Sequence, residues 1–344
     1  APDNVACAPH HQHSSWPRTS RSPGVLTVQS DTRIHVMAAA LVDEHGRVLL
    51  QRRAADAHQG GLWEFPGGKL EWPESRERGL IRELQEELGV CPQLMRPLIS
   101  IAHDYADRDV LLDVWRVDGW HGQVSAMEGQ PLAWVHPCEF ASYDFPAADR
   151  PVLSALKLPE LLLITPPISG DVCSWQRKLM RAAERGVSLV QVRSPQHTPA
   201  QLAIQLAGLL EVVAREAPQL RVMVNTQAQS AAQLGVAGVH LTAHRLWQFD
   251  ARPVAADQLL GVSCHHADDL QQAARIDADF AVLGPVARTN SHPHATPMGW
   301  ERFAELVAAA RVPVYALGGL GRDDVGRAQI AGAQGVAAIS ALWD

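Results

Sequence analysis

Residues Gly67–Val90 read "GGKLEWPESRERGLIRELQEELGV", and this stretch decides the fold of the first half of the chain. Glu83, Glu86 and Glu87 stand at i, i+3 and i+4, so a helix here carries all three carboxylates on one face. At about 4 Å and an effective dielectric of about 20, each carboxylate pair repels by roughly 4 kcal/mol. Something has to offset that charge. A divalent cation does so, and an oxygen-only ligand set favours Mg2+, with Mn2+ possible, over zinc. Leu80, Leu84 and Leu88 repeat every four residues and predict an inward-packed second face. Pro73 and Glu74 suit the first turn of this helix, and Gly89 suits its C′ position.

Outward from this stretch, "RIHVMAAALVDEHGRVLLQRR" predicts two strands around a turn at His45-Gly46, followed by the Gly-rich loop "HQGGLWEFPGGK". Beyond the helix, "LMRPLISIAHDY", "DVLLDVWRVDGW" and "LAWVHP" read as strands and "RPVLSALKL" as a short closing helix. Near Pro159 the rhythm changes. Eight apolar runs, beginning at Leu161, Leu189, Arg221, Gly238, Leu259, Phe280, Val312 and Gly335, alternate with helical segments. Continuous apolar strands spaced by helices predict a parallel sheet covered by helices, and eight such units predict a (βα)8 barrel. With 344 residues, the chain has room for two domains. The expected organisation is an extension at 1–32, a first domain at 33–158 and a barrel at 159–344. With hardly any linker, the two domains are expected to touch.

Composition narrows the function classes. A formal net charge of -7 and the lack of a long basic run argue against direct nucleic-acid binding. No apolar run reaches membrane-span length, so no membrane partner is expected. The five cysteines are scattered without a CxxC pair, which argues against a disulfide framework or a zinc ribbon and for reduced thiols in a cytoplasmic protein. The first 32 residues are rich in Pro, Ser and His, lack the apolar core of a signal peptide, and read as disordered; the "HHQH" within them is read as inert.

From Gly68 the spacing is Gly, five residues, Glu74, seven residues, then Arg82-Glu83-Leu84-Gln85-Glu86-Glu87-Leu88-Gly89-Val90. This matches the Nudix signature at every specified position. At average residue frequencies, chance yields such a match in about one of ten million chains. "QRRAADAHQGGLWEFPGGK", "DRDVLLDVWRV", "EGQPLAW" and "DFPAADRPVLSALKL" extend the resemblance to the MutT branch of that family, over about Arg33 to Leu158. The resemblance implies an α/β/α sandwich with a mixed sheet. It also implies Mg2+-dependent cleavage of nucleoside triphosphates, preferentially 8-oxo-dGTP, to a monophosphate and pyrophosphate, an activity that keeps oxidised nucleotides out of DNA. Carried over residue by residue, it makes the Gly67 carbonyl, Glu83, Glu86, Glu87 and Glu128 metal contacts and Glu83 the group that activates water. Arg82 and Glu74 become a structural brace, Arg53 and His58 contact the nucleotide, and Phe65 and Leu62 line the base pocket. MutT-like chains read "FPPAN" where this one reads "FPAAD". Asp149 thus stands where an asparagine reads the oxidised purine. An ionised Asp only accepts hydrogen bonds, whereas one protonated when bound also donates; for the ionised form a weaker or broader preference among oxopurines is expected.

From Leu161 on, "LVQVR", "VNTQAQSAAQLGVAGVHL", "GVSCHHADDLQQAA", "DFAVLGPVARTNSHP", "VPVYALGGL" and "AGAQGVAAISAL" resemble, in that order, the thiamine-phosphate synthase/TenI family, which folds as a (βα)8 barrel. The marks of its chemistry are altered. Asn225-Thr226 stands for the expected Asn-Asp, and Thr242-Ala243-His244-Arg245 lacks a second acid. Ser194-Pro195 and Ser291-His292 stand where lysines are expected, and Pro285 replaces the tautomerase histidine. The sequence stops just past the eighth strand, so the last helix is expected to be mostly missing. A barrel without catalysis is expected. What persists is a framework for a phosphorylated ligand, from Arg193, Gly318, Gly319 and Ser340. His240 and His265-His266 are read as structural. Thiamine-related diphosphates as substrate, or a barrel that senses a phosphorylated metabolite, are the alternatives that the pairing of the two domains raises.

Overall fold

The computed structural model describes residues 33–168, 170–225, 234–289 and 296–343. The extension at 1–32, Thr226 and Ser291-His292 lie outside the described residues. The first unit is a three-layer arrangement around a mixed sheet of order β4-β1-β6-β5, comprising β1 (Ile34–Leu41), β4 (Gly67–Lys69), β5 (Cys91–Asp104) and β6 (Asp109–His121). β1 runs parallel to β6, whereas β1·β4 and β5·β6 are antiparallel. A second, three-stranded sheet has the order β3-β2-β7, with β2 (Val48–Arg52), β3 (Trp63–Glu64) and β7 (Leu132–Val135).

Period-two alternation in β1 sends its side chains into two separate cores. Met37, Ala39 and Leu41 meet Leu80, Leu84 and Leu88 of helix α1 (Arg76–Leu88) on one face. Ala38 and Ala40 pack with Val152 and Ala155 of α2 (Arg150–Lys157) on the other. The leucine face of the predicted helix is therefore its buried face. α1 starts later than Pro73-Glu74 suggests. Ser75 is its N-cap, with Oγ accepting from the Arg78 amide at 3.3 Å, and Gly89 closes it at φ 69°.

The Gly-rich loop also contains strand. Gly67–Lys69 pairs antiparallel with β1, with Gly67 opposite Ala38 and Gly68 opposite Met37. The approach demands glycine. A Cβ on Gly67 would meet the Met37 carbonyl oxygen at 2.1 Å, and φ there is 145°. At Gly68 a Cβ would meet the Glu83 carboxylate at 2.3 Å. The glycine pair thus lets a strand and the acid-bearing helix close on each other.

The second unit is a closed barrel of eight parallel strands, and each lies within or across one of the predicted apolar runs: β8 (Leu161–Ile164), β9 (Leu189–Val192), β10 (Arg221–Val224), β11 (Gly238–Leu241), β12 (Leu259–Cys264), β13 (Phe280–Leu283), β14 (Val314–Leu317) and β15 (Gly335–Ala338). β15 closes on β8. Leu162, Ile164, Leu189, Met223, Phe280 and Tyr315 fill the interior, and the last described helix is Ser340–Trp343.

The two units meet at the N-terminal end of the barrel. The Gln334 amide, just before β15, donates to the Ala155 and Leu158 carbonyls at 3.1 and 2.9 Å. Arg221, the first residue of β10, donates to the Lys157 carbonyl at 2.9 Å, and the Tyr315 hydroxyl to that of Pro159. Arg96 pairs with Glu160 at 2.9 Å, and Arg311, ahead of β14, pairs with Asp104 at the end of β5. Cys138, Cys173 and Cys264 are free thiols as expected. Among the described residues, no helix is long and apolar enough to cross a membrane.

Candidate active site

The acids of α1 are offset by a residue of their own helix. Arg82 makes a two-pronged contact with Glu74 at 2.8 and 3.0 Å, the predicted brace. It also donates to Glu83 at 2.8 Å, to Glu86 at 3.1 Å and to the Lys69 carbonyl at 3.1 Å. One guanidinium therefore ties the loop to two of the three clustered acids, and these contacts raise its own pKa.

Glu87 is held differently. Its Oε2 accepts from the Gly67 amide at 2.9 Å and from Gln51 at 3.1 Å. The N–H of Gly67 thus binds one of the clustered acids directly. Burial drives the Glu87 carboxyl up to about 7, against the pull of those two donors, and burial also raises Glu83. Glu128 lies on the loop after β6, tied to the end of α1 through the Met127 amide and Gln130, both of which reach the Glu87 carbonyl; its side chain is exposed.

Among the described residues, no three His, Cys, Asp or Glu groups converge into a ready-made metal cage. The donor chemistry nevertheless fits a hard cation. The acids offer oxygen alone, and a partly desolvated Glu87 is a group whose charge a cation would stabilise.

A second cluster lies beyond Glu87. Arg53 donates to the His58 carbonyl at 2.8 Å and is ion-paired with Glu64. Burial raises the Glu64 carboxyl. Glu64 repels both Glu87 and Asp149, so it bridges the helix acids and the far end of the site. His58 sits edge-on to Tyr105 with ring centroids 5.4 Å apart and lies 3.5 Å from Asp107; its Nε2 is buried without a hydrogen-bond partner. Tyr105 reaches the backbone of Ala148, next to Asp149. Asp149 is 5% exposed, and desolvation, reinforced by Glu64 and opposed by Arg53, moves its carboxyl to about 8. Of the two forms, burial favours the neutral one at neutral pH, with one acceptor and one donor. Phe65 is 2% exposed and packed against Phe145, a core residue with almost no open ring face.

Glu64, Gln51 and Tyr105 escaped the sequence reading. The strand pairing of Gln51 with Glu64 offered a faint signal for two of them. Tyr105 is brought in by the tip of the β5–β6 hairpin and had none.

At the barrel, Arg193, Gly318-Gly319 and Ser340 follow β9, β14 and β15, so the fold gathers them at the C-terminal end, away from the first unit. The glycines are accounted for by packing. A Cβ on Gly319 would meet the Arg288 carbonyl oxygen at 2.2 Å, and one on Gly318 would meet Pro285 at 2.8 Å. His240 points into the barrel and bonds Ser263 at 2.9 Å; burial lowers its pKa to about 3. His265 is 2.8 Å from the Gly284 carbonyl.

A carboxylate helix clamped behind a glycine strand, joined end-on to a closed parallel barrel, defines a two-module α/β protein. The family model for thiamine monophosphate synthase matches residues 161–342, and that for the NUDIX domain matches residues 37–155. The chain belongs to the thiamine monophosphate synthase family through its barrel and to the Nudix hydrolases through its first unit, as a fusion of the two. It is similar to an 8-oxo-dGTP diphosphatase of Escherichia coli (strain K12), 37% identical over 36% of this chain and 97% of the relative. It is similar also to a CTP pyrophosphohydrolase of the same organism, 40% identical over 35% and 88%. The barrel is similar to a thiamine-phosphate synthase of Laribacter hongkongensis (strain HLHK9), 32% identical over 53% of this chain and 85% of the relative.

Proposed function

We propose that the first unit, residues 33–158, hydrolyses nucleoside triphosphates carrying oxidised purines, such as 8-oxo-dGTP, to the monophosphate and pyrophosphate, and so protects DNA from miscoding nucleotides. The observation that carries this reading is the continuous line of groups from Glu83, Glu86 and Glu87 through Glu64 to Arg53, His58 and Asp149. One end suits phosphates and a cation, and the other suits a base edge.

The residues that would hold Mg2+ or Mn2+ are Glu83, Glu86 and Glu87, with Glu128 and the Gly67 carbonyl. Bound there, the cation lowers the pKa of a coordinated water and stabilises charge on the phosphates. Glu83, whose pKa burial raises, takes the proton of the attacking water at its carboxylate. The bond between the α- and β-phosphates breaks, and pyrophosphate leaves. Arg82 holds Glu83 and Glu86 in place throughout. The unpartnered Nε2 of His58 is available to substrate. Neutral Asp149 offers its C=O to N7–H and its O–H to O6 of 8-oxoguanine.

The barrel, residues 159–344, is read as catalytically silent, with Arg193, Gly318, Gly319 and Ser340 as a place for a phosphorylated ligand. That place opens at the end of the barrel opposite the Nudix unit, which weighs against a thiamine diphosphate handed through the barrel to be cleaved. The test is hydrolysis of 8-oxo-dGTP, unmodified dNTPs, CTP and thiamine diphosphate by the full chain with Mg2+. The oxidised purine should have the highest kcat/KM, and a faster thiamine diphosphate overturns the reading. Glu83→Gln should lower kcat by about 100- to 10,000-fold.

A further inference from the structure

We infer that Arg311, a residue of the barrel, is a positioning residue for the nucleoside pocket of the Nudix unit. The inference rests on the reading of that pocket as a nucleotide site. Two elements carry the residues of that proposed site. One is the tip of the β5–β6 hairpin, where Tyr105 lies against His58 and reaches the backbone at Ala148. The other is Asp149 itself, directly ahead of α2. The barrel reaches the elements that carry both. It holds the C-terminal end of α2 and the segment after it through Gln334, Arg221 and Tyr315. The hairpin is fixed at Asp104, the residue before Tyr105, which is ion-paired with Arg311 and, at 3.3 Å, with Arg33.

Within the Nudix unit the hairpin tip rests on Tyr105, which packs against the core and touches His58 and the Ala148 backbone. Tyr105 and Arg108 close the tip by one backbone bond of 2.9 Å, and the Asp107–Arg108 pair lies within the tip itself. Arg311 adds an anchor from outside the Nudix unit. Its hydrogen bond is the largest influence holding the Asp104 carboxyl below the usual range. His103, edge-on to Tyr105 with ring centroids 4.4 Å apart, feels Arg311 as well. The pair is half-exposed, at 44% and 45%, so its worth is that of a surface ion pair and the effect of losing it is modest. Glu83, Glu86 and Glu87 lie on another element, and the chemistry at the phosphates should not sense the loss.

The experiment uses the full chain with Arg311→Ala and Arg311→Lys. Hydrogen exchange of residues 103–108, without substrate, should be faster in Arg311→Ala and restored in Arg311→Lys. KM for 8-oxo-dGTP should rise about 2- to 5-fold in Arg311→Ala with kcat within twofold of wild type, and Arg311→Lys should recover it. Unchanged exchange overturns the clamp. Faster exchange with unchanged KM, or a fall in kcat alone, overturns its link to the nucleoside pocket. A wild-type chain that cleaves no nucleoside triphosphate defeats the functional reading instead, and the exchange measurement then decides the clamp by itself.

Discussion

Replacing Asp149 with asparagine should leave the choice between oxidised purines nearly unchanged at pH 7 and alter it at pH 9. Burial moves the Asp149 carboxyl from 3.8 to about 8, so at neutral pH it carries a proton and presents the same acceptor and donor as an asparagine. Both groups satisfy N7–H and O6 of 8-oxoguanine. Above about pH 8 the wild-type group ionises, O6 faces a carboxylate, and a buried hydrogen bond is replaced by an unmatched acceptor pair. Loss of such a bond to a charged group costs about 1.5–3 kcal/mol, or roughly 10- to 150-fold in kcat/KM. 8-oxoadenine, with donors at N7 and N6, is penalised less. The assay is the ratio of kcat/KM for 8-oxo-dGTP over 8-oxo-dATP between pH 6.5 and 9.5, a ratio in which shared pH effects on the chemistry cancel. It should fall through about pH 8 in wild type and stay flat in Asp149→Asn. Parallel profiles, or a wild-type ratio already low at pH 6.5, refute the reasoning. Stability supplies an independent readout. Below about pH 3.8 the group is protonated both folded and unfolded and contributes no difference. Between there and about 8 only the unfolded chain ionises, so wild-type stability falls as pH rises, by about 1.4 kcal/mol per pH unit, while Asp149→Asn escapes the fall.

The remaining expectations follow from the same geometry. Gly68→Ala should fold and lose at least tenfold in kcat, because the new methyl displaces only the flexible end of Glu83; circular dichroism and steady-state kinetics check it. Gly67→Ala should instead lower stability by about 1–3 kcal/mol or more in denaturant melts, since the methyl meets the Met37 backbone at φ 145°. Arg82→Met frees Glu83 and Glu86 to repel, so added Mg2+ should raise the melting temperature more in the variant than in wild type. Arg193→Ala, at the far end of the barrel, should leave 8-oxo-dGTP hydrolysis within twofold of wild type.

Legibility in the sequence tracked the range of the interaction. The acid face and leucine face of α1 follow from local spacing, and both were readable. So were the barrel strands, because a strand buried on both sides leaves an unbroken apolar run. The strand at Gly67–Lys69 reads as loop, since glycine carries no pattern and the strand is defined by backbone pairing with Val36, Met37 and Ala38. Arg82 was readable as a partner of Glu74 but not as the counter-charge of Glu83 and Glu86, which depends on where one guanidinium points. Glu64 and Tyr105 reach the site through strand pairing and a hairpin tip, contacts that no window of sequence contains. Asp149 is legible from its place in a motif, while its protonation stays open in the sequence because burial is a property of the fold.

The three carbonyls in a row at Lys157, Leu158 and Pro159 accept from Arg221, Gln334 and Tyr315. Those donors reach as far along as Gln334, so during synthesis the joint can set only when the last barrel strand emerges. The Nudix unit is made first, and its closing helix gains these outside partners only as the barrel closes.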